Sequence, residues 1–336
     1  MNRVAINGIG VVKPSAIADV DRFDTSGLSA HKAALVRDFN PRDYIAPMKM
    51  RRMNTLSRFA VSAAKMAIDD YGKELPRETG VAIGTAFGPV QTSVDYMREY
   101  VERGAALAPP QLFAESVANA PGSHIAIEWG LRGFNVTITQ RESSALAAAM
   151  YASSQVLKGS VRAAMIGGVE EVTEMVFSVL DRIGALDDDQ RNGMVIGEGS
   201  AMLIAEKSES AKYGFLSGFG IARDTTASIS DWGDDASAVA TAMRNAVDDA
   251  ELTPRDIDAI YASANGAARG DRLEAHAIQQ LFGDNAPPVV VTKKLFGEYA
   301  AAGALQLVAA LLDGRTNILV NSISAGGGIV CAVVSR

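Results

Sequence analysis

The sequence predicts an α/β protein made of two similar halves. Short strand-like runs alternate with apolar runs at helical spacing along nearly the whole chain. The alternation begins afresh after about residue 210, and each round finishes near a glycine-rich turn, which predicts halves at 1–208 and 209–336. Of the 336 residues, 48% are apolar and 31 are glycine, a composition suited to helices packed closely on a sheet.

In the first half, MNRVAINGIGVV predicts a strand over 4–12. Gly8 and Gly10 lack the third glycine and the immediate helix of a dinucleotide loop, so no nucleotide site is expected there. Residues 14–43 read as a polar surface excursion with a short helix. Pro47 to Met53 is a basic, methionine-rich segment, read as core filler and a solvated face or as a greeting for an acidic partner. Helix 54–71, strand 80–84 and helix 90–103 follow from their periodicity. After Pro109-Pro110 a short helix is expected to Ala118. Pro121-Gly122 is read as a break, with Ser123 capping a second short helix to Trp129.

The central stretch is Gly133 to Glu170. Phe134 to Thr139 predicts a strand, Gln140 to Ser144 a polar knot, Ala145 to Leu157 a helix, and Arg162 to Ile166 a buried strand closed by Gly167-Gly168. A helix that starts this way presents unpaired N–H groups and a positive dipole end. A nucleophile placed there gains a lowered pKa and an oxyanion site from the same amides. The residue in that place is Glu142. Beyond it, Asp187-Asp188-Asp189 lacks the spacing of a calcium loop and reads as a solvated turn. Asn192 to Gly199 reads as a tight positive-φ loop leading into strand 201–205.

The second half predicts strand 214–222, helix 236–249 and a capped turn at Thr253-Pro254. Strand 259–263 follows, ending at Asn265-Gly266, then helix 272–281, strand 289–292 with Lys293-Lys294, and helix 299–312. Strands 317–322 and 329–334 close the chain across Ala325 to Gly328.

Charge and composition narrow the function. A net charge of −7 argues against a nucleic-acid binder and gives no polybasic membrane signal. One cysteine, Cys331, excludes a disulfide framework and a cysteine-built metal site; neither metal nor cofactor is expected. No apolar run reaches the roughly 18 residues of a membrane span, so a cytoplasmic protein is expected. His31, His124 and His276 lie in helical or polar surroundings and read as structural.

Several motifs occur together in order: GLRG (130–133), GGVE (167–170), GMVIGEGSAML (193–203), Asn265-Gly266 with Gly270-Asp271 and Glu274, Thr292-Lys293 with Gly297, and Asn321-Ser322 before Gly326-Gly327. The chain resembles the β-ketoacyl synthase branch of the thiolase-fold condensing enzymes. That resemblance implies the thiolase fold, two α/β halves in a five-layered αβαβα core. It also implies a cysteine nucleophile, two histidines and a lysine, which on this sequence fall on Glu142, Asn265, Glu298 and Lys293. Only the lysine matches. A carboxylate is a poor nucleophile toward a thioester, Asn moves no proton near neutral pH, and Glu298 would repel an enolate. Glu142 is expected to be an anion at its helix start, with Lys293 as a possible partner.

The pattern is similar to the chain-length-factor subunits of type II polyketide synthases. The resemblance implies a non-catalytic subunit paired with an active ketosynthase, with an acyl carrier protein served through the complex. It implies an interface strand at Val136, Thr137, Ile138 and Thr139, and a tunnel floor for which Phe113, Ser116 and Val117 are the candidates. The chain departs from the family in being short, and its closing loop reads Ile323-Ser324-Ala325 where a Phe gate is usual. Rival readings are a malonyl-carrier decarboxylase that supplies the starter unit, a standalone acyl-binding or scaffold protein, and a new site built from Glu142, Asn265, Lys293 and Glu298.

Overall fold

A computed structural model describes residues 3–188 and 190–336. Its strands are β1 (Val4–Val12), β2 (Ala18–Asp19), β3 (Lys32–Ala33), β4 (Gly80–Gly84), β5 (Asn135–Ile138), β6 (Ala163–Glu170), β7 (Gly199–Glu206), β8 (Gly214–Arg223), β9 (Ala259–Tyr261), β10 (Val289–Val290), β11 (Asn317–Ile323) and β12 (Gly328–Ser335). The helices are α1 (Pro47–Met50), α2 (Thr55–Tyr71), α3 (Val90–Arg103), α4 (Pro110–Glu115), α5 (Ala120–Glu128), α6 (Ser144–Leu157), α7 (Glu174–Arg182), α8 (Ala236–Asp249), α9 (Ala268–Phe282), α10 (Lys293–Phe296) and α11 (Ala302–Asp313).

Ten strands join in the order β10-β9-β11-β12-β8-β1-β7-β6-β4-β5. Outward from β1 run β7, β6, β4 and β5; outward from β8 run β12, β11, β9 and β10. The pairings match in both directions: two antiparallel, then two parallel. The halves therefore repeat one topology. Among the described residues the two half-sheets pair where Val4–Ile6 meets Gly214–Leu216.

Side-chain alternation along the strands explains the layers. One core cluster gathers Ile166 and Leu203 from the first half, Ile318 and Val320 from the second, and the apolar residues of α6 and α11 between them. The other faces of the two half-sheets pack outward. Met165, Met202 and Ile204 meet α2 and α5, while Leu319, Cys331 and Val333 meet α8 and α9. Helix, sheet, helix, sheet, helix: this is the five-layered thiolase arrangement.

Gly8 and Gly10 serve this packing. A Cβ at Gly8 would stand 2.5 Å from the Ala67 carbonyl oxygen of α2, so glycine lets the helix lie directly on β1. Asn54 caps α2 by accepting from the Ser57 N–H, and Gly72, at φ 70°, closes it.

Four expectations are corrected. Helix α5 begins at Ala120 and runs through Pro121-Gly122, because proline in the first turn forfeits an N–H that has no intrahelical partner anyway; Ser123 is therefore not its cap. Strand β6 continues through Gly167-Gly168 to Glu170; a Cβ at Gly168 would come within 2.8 Å of the Ala301 Cα, so close packing, not a turn, selects glycine. Gly193 and Gly197 are likewise sites of close approach, to Leu186 and Phe296, and only Gly199 of that loop has positive φ. The excursion over 14–43 is anchored in the protein: Ala30, Ala33 and Leu35 pack with Phe177 and Leu186, and Arg22 reaches in to Glu198 with two 2.7 Å bonds. In the acidic turn Asp188 pairs with Arg191, whereas Asp189 lies outside the described residues.

Candidate active site

The elbow before α6 is a 3-10 turn, Arg141–Ser143, and Arg141 sits at φ 52°, a region costly for a side chain with a Cβ. Serines hold this strained turn. Ser143 N–H donates to Ser324 Oγ at 2.9 Å, Ser322 Oγ donates to the Glu142 carbonyl at 3.0 Å, and Ser324 Oγ donates to the Gln140 carbonyl at 3.0 Å. Ser144 Oγ donates back to the Arg141 carbonyl and accepts from the Gln140 N–H. Strand β11 and the loop after it thus clamp the elbow from the second half. The serine cluster was missed in the sequence, where its signal was the alternation Ser322-Ile323-Ser324.

Glu142 is buried at this elbow, and its Oε2 has no hydrogen-bond partner; the nearest cation is Arg141 Nε at 3.7 Å. Glu298 is buried in the same site. Its Oε2 accepts from Lys293 Nζ at 2.5 Å and from Asn265 Nδ2 at 2.8 Å, and its Oε1 is unpartnered. Lys293 Nζ also donates to the Ser263 carbonyl at 3.0 Å. The four sequence-predicted positions therefore come together from both halves.

Two details differ from expectation. Lys293 pairs with Glu298, not with Glu142: Lys293 opens the short α10, and Glu298 follows Gly297, which ends that helix at φ 77°. Glu142 is not a settled anion: burial first, then the neighbouring Glu298 charge, pushes its carboxyl up to about 7, against the opposing pull of Arg141 and Lys293.

The remaining candidates lie elsewhere. Val136, Thr137 and Ile138 are on β5, the last strand of the sheet, and are half-buried; Thr139 just beyond is exposed. Phe113 and Val117 project from the α4 region, 57% and 41% exposed, with Ser116 turned back on the Phe113 carbonyl. Tyr96 and Tyr100 of α3, not singled out in the sequence, extend the Phe113 face, with Tyr96 and Phe113 rings 5.6 Å apart. His124 bonds Glu115 at 2.8 Å, away from the elbow. Among the described residues no group of three or more His, Cys, Asp or Glu is placed to hold a metal ion. No helix among them is long and apolar enough to cross a membrane.

A strand–elbow–helix clamped between two repeated α/β halves defines a thiolase-fold condensing-enzyme scaffold. The chain belongs to the β-ketoacyl synthase family: the family's N-terminal domain matches residues 13–211 and its C-terminal domain residues 213–325. It is 28% identical to a 3-oxoacyl-[acyl-carrier-protein] synthase 2 of Coxiella burnetii, over 94% of this chain and 86% of that protein. It is 26% identical to the tetracenomycin polyketide synthase ketoacyl synthase beta subunit of Streptomyces glaucescens, over 96% of this chain and 88% of that one. In fold it is similar to the ishigamide ketosynthase/chain length factor, at TM-score 0.89 and 24% identity, over 99% of both chains.

Proposed function

We propose that this chain is a catalytically silent ketosynthase homologue, a chain length factor, that pairs with an active β-ketoacyl synthase and shapes the tunnel limiting polyketide or polyene length. The observation that carries the reading is the Glu142–Glu298–Lys293–Asn265 constellation. The elbow offers a carboxyl in place of a nucleophile, and attack by it on a thioester would give only an unstable mixed anhydride. At the two base positions Asn265 and Glu298 are tied to each other and to Lys293. Neither position offers an imidazole to relay a proton or donate to an enolate, and the unpaired Glu298 oxygen would repel that enolate's charge. The chemistry then belongs to the partner, and this chain contributes shape. Residues 1–208 and 209–336 form its two thiolase-like halves.

The edges of the sheet support pairing at one end. Strand β10 has two residues and follows Pro287-Pro288, which blunts it as a template. Strand β5 has no proline and no lysine, and among the described residues no strand pairs with its outer side. We assign Val136 to Thr139 to the seam with the ketosynthase, antiparallel across a pseudo-two-fold. The exposed apolar face beside it, with Phe113, Val117 and Tyr100, lies against the partner, and Phe113, Ser116 and Val117 set the tunnel floor. Lys49, Arg51 and Arg52 give an acidic carrier protein a complementary approach to the complex; among the described residues Lys49 is neutralised by a carboxylate, Glu128.

The test expresses the chain alone and with a candidate ketosynthase, and follows complex formation and malonyl-carrier turnover. The heterodimer is expected to condense and the lone chain to do neither condensation nor decarboxylation. Turnover by the lone chain that disappears in Glu142→Ala would overturn the reading and favour a decarboxylase or a new active site.

A further inference from the structure

Beside the start of α2 the surface opens into a cleft of about 530 Å³, bounded by α2, α3 and α4 and reached from below by the residue that follows β6. Its lining changes sign with depth. Arg51 and Arg52 stand exposed at the mouth. Arg58, in the first turn of α2, and Asp95 of α3 are half-buried on the walls. Glu171, only 6% exposed, forms the floor. None of these residues belongs to the Glu142–Glu298 constellation.

Several of the charged groups are short of partners. Glu171 Oε1 is buried and accepts no hydrogen bond. Arg58 donates through Nη2 to the Met50 carbonyl at 3.4 Å, whereas its buried Nε has no acceptor. Asp95 Oδ1 accepts from Gln91 Nε2 at 2.9 Å, with Arg98 at 3.9 Å from the same oxygen. Among the described residues no carboxylate pairs with Arg51 or Arg52. An unpaired carboxylate oxygen at the depth of Glu171 is costly. Burial first, then the charge of Glu198, pushes the Glu171 carboxyl up to about 7; Asp95 adds to the push and Arg22 opposes it. Arg22 is itself committed to Glu198 through two 2.7 Å bonds. A cationic donor entering the cleft would relieve Glu171 and Asp95 together, and an anionic end of the same molecule would meet the arginines.

We propose that this cleft binds a zwitterion, an elongated amino carboxylate with its ammonium at Glu171 and Asp95 and its carboxylate at Arg51 and Arg52. An ammonium carries three donors and a guanidinium matches a carboxylate, so both ends find charge-assisted partners. A molecule with one charge leaves the opposite end of the cleft unanswered. The volume is that of a small-molecule site and exceeds what the shortest amino acid fills, which selects an extended ligand. Arg51 and Arg52 are also the residues assigned above to the carrier protein's approach. The test uses the full chain without carrier or ketosynthase, so its result does not depend on that assignment.

Isothermal titration calorimetry reads the site with ε-aminocaproate as the probe and γ-aminobutyrate as a shorter one. Caproate and hexylamine are the single-charge controls. At least one zwitterion should bind at least about tenfold more tightly than either control, because each control forgoes one charge-assisted contact. Glu171→Gln, which keeps the shape of the floor, should weaken that zwitterion at least about tenfold, and joint Arg51→Ala and Arg52→Ala by a similar factor. No binding of either zwitterion at millimolar concentration would overturn the proposal and leave a cleft that holds water alone. Caproate binding as tightly would mark a plain anion site, hexylamine binding as tightly a plain cation site, and either result overturns it. Unchanged affinity in Glu171→Gln does the same. If Glu171→Gln is unfolded by circular dichroism, Asp95→Asn on the half-buried wall is titrated in its place, and unchanged affinity there overturns the proposal equally.

Discussion

Glu142→Gln tests the electrostatic description of the elbow. In the unfolded chain a glutamate loses its proton near 4.5, whereas in the folded protein burial and Glu298 hold the proton up to about 7. Between these values the folded state binds more protons than the unfolded one, so stability falls as pH rises through the window and levels off above it. The rise from 4.5 to about 7 is worth about 3 kcal/mol at about 1.4 kcal/mol per unit of pKa. Glutamine keeps the shape and cannot ionise. The difference in unfolding free energy between Glu142→Gln and the unaltered protein should therefore move toward the variant by about 3 kcal/mol from pH 4.5 to pH 8. Urea unfolding at a series of pH values gives both curves. Glu170 and Glu171, also raised, to about 8 and about 7, titrate in the same region but cancel in the difference. Parallel curves across that range would refute the argument.

Lys293→Ala leaves Glu298 buried against Asn265 alone and should destabilise by about 3–5 kcal/mol; adding Glu298→Gln should recover a good part of it in the same assay. Thr137→Pro removes an N–H that the β4–β5 register leaves on the outer side of β5, so the chain should stay folded by circular dichroism yet lose its partner on gel filtration. Val117→Trp, in the complex with the active ketosynthase, should shorten the product by mass spectrometry; unchanged length would remove Val117 from the tunnel floor.

Much of the layered fold was legible because apolar period and glycine position are local signals. Helix α2 is readable from Asn54, its alanine spacing and Gly72, and strands β1, β4 and β8 from their largely apolar runs. Where local rules misled, tertiary packing had selected the residue. Gly167 and Gly168 look like a stop in sequence and lie mid-strand because Ala201 and Ala301 press on them. The candidate site was legible as a set of positions, since motif spacing brings Glu142, Asn265, Lys293 and Glu298 into register. Its wiring was not. That Lys293 chooses Glu298 depends on how the chain leaves α10 at Gly297, and that the Arg141 guanidinium spans to the Ile229 carbonyl depends on two segments 88 residues apart.

The contrast between the two ends of the ten-stranded sheet has a consequence for the size of any assembly. A sheet with two open edges has a valence of two and can lengthen without limit, strand upon strand, into a fibre. Here Pro287-Pro288 and the brevity of β10 reduce that valence to one, carried by β5. Growth by edge pairing therefore terminates once β5 is met. With β5 as the proposed seam, the chain extends another sheet once, and the combined sheet then offers no further end from this side.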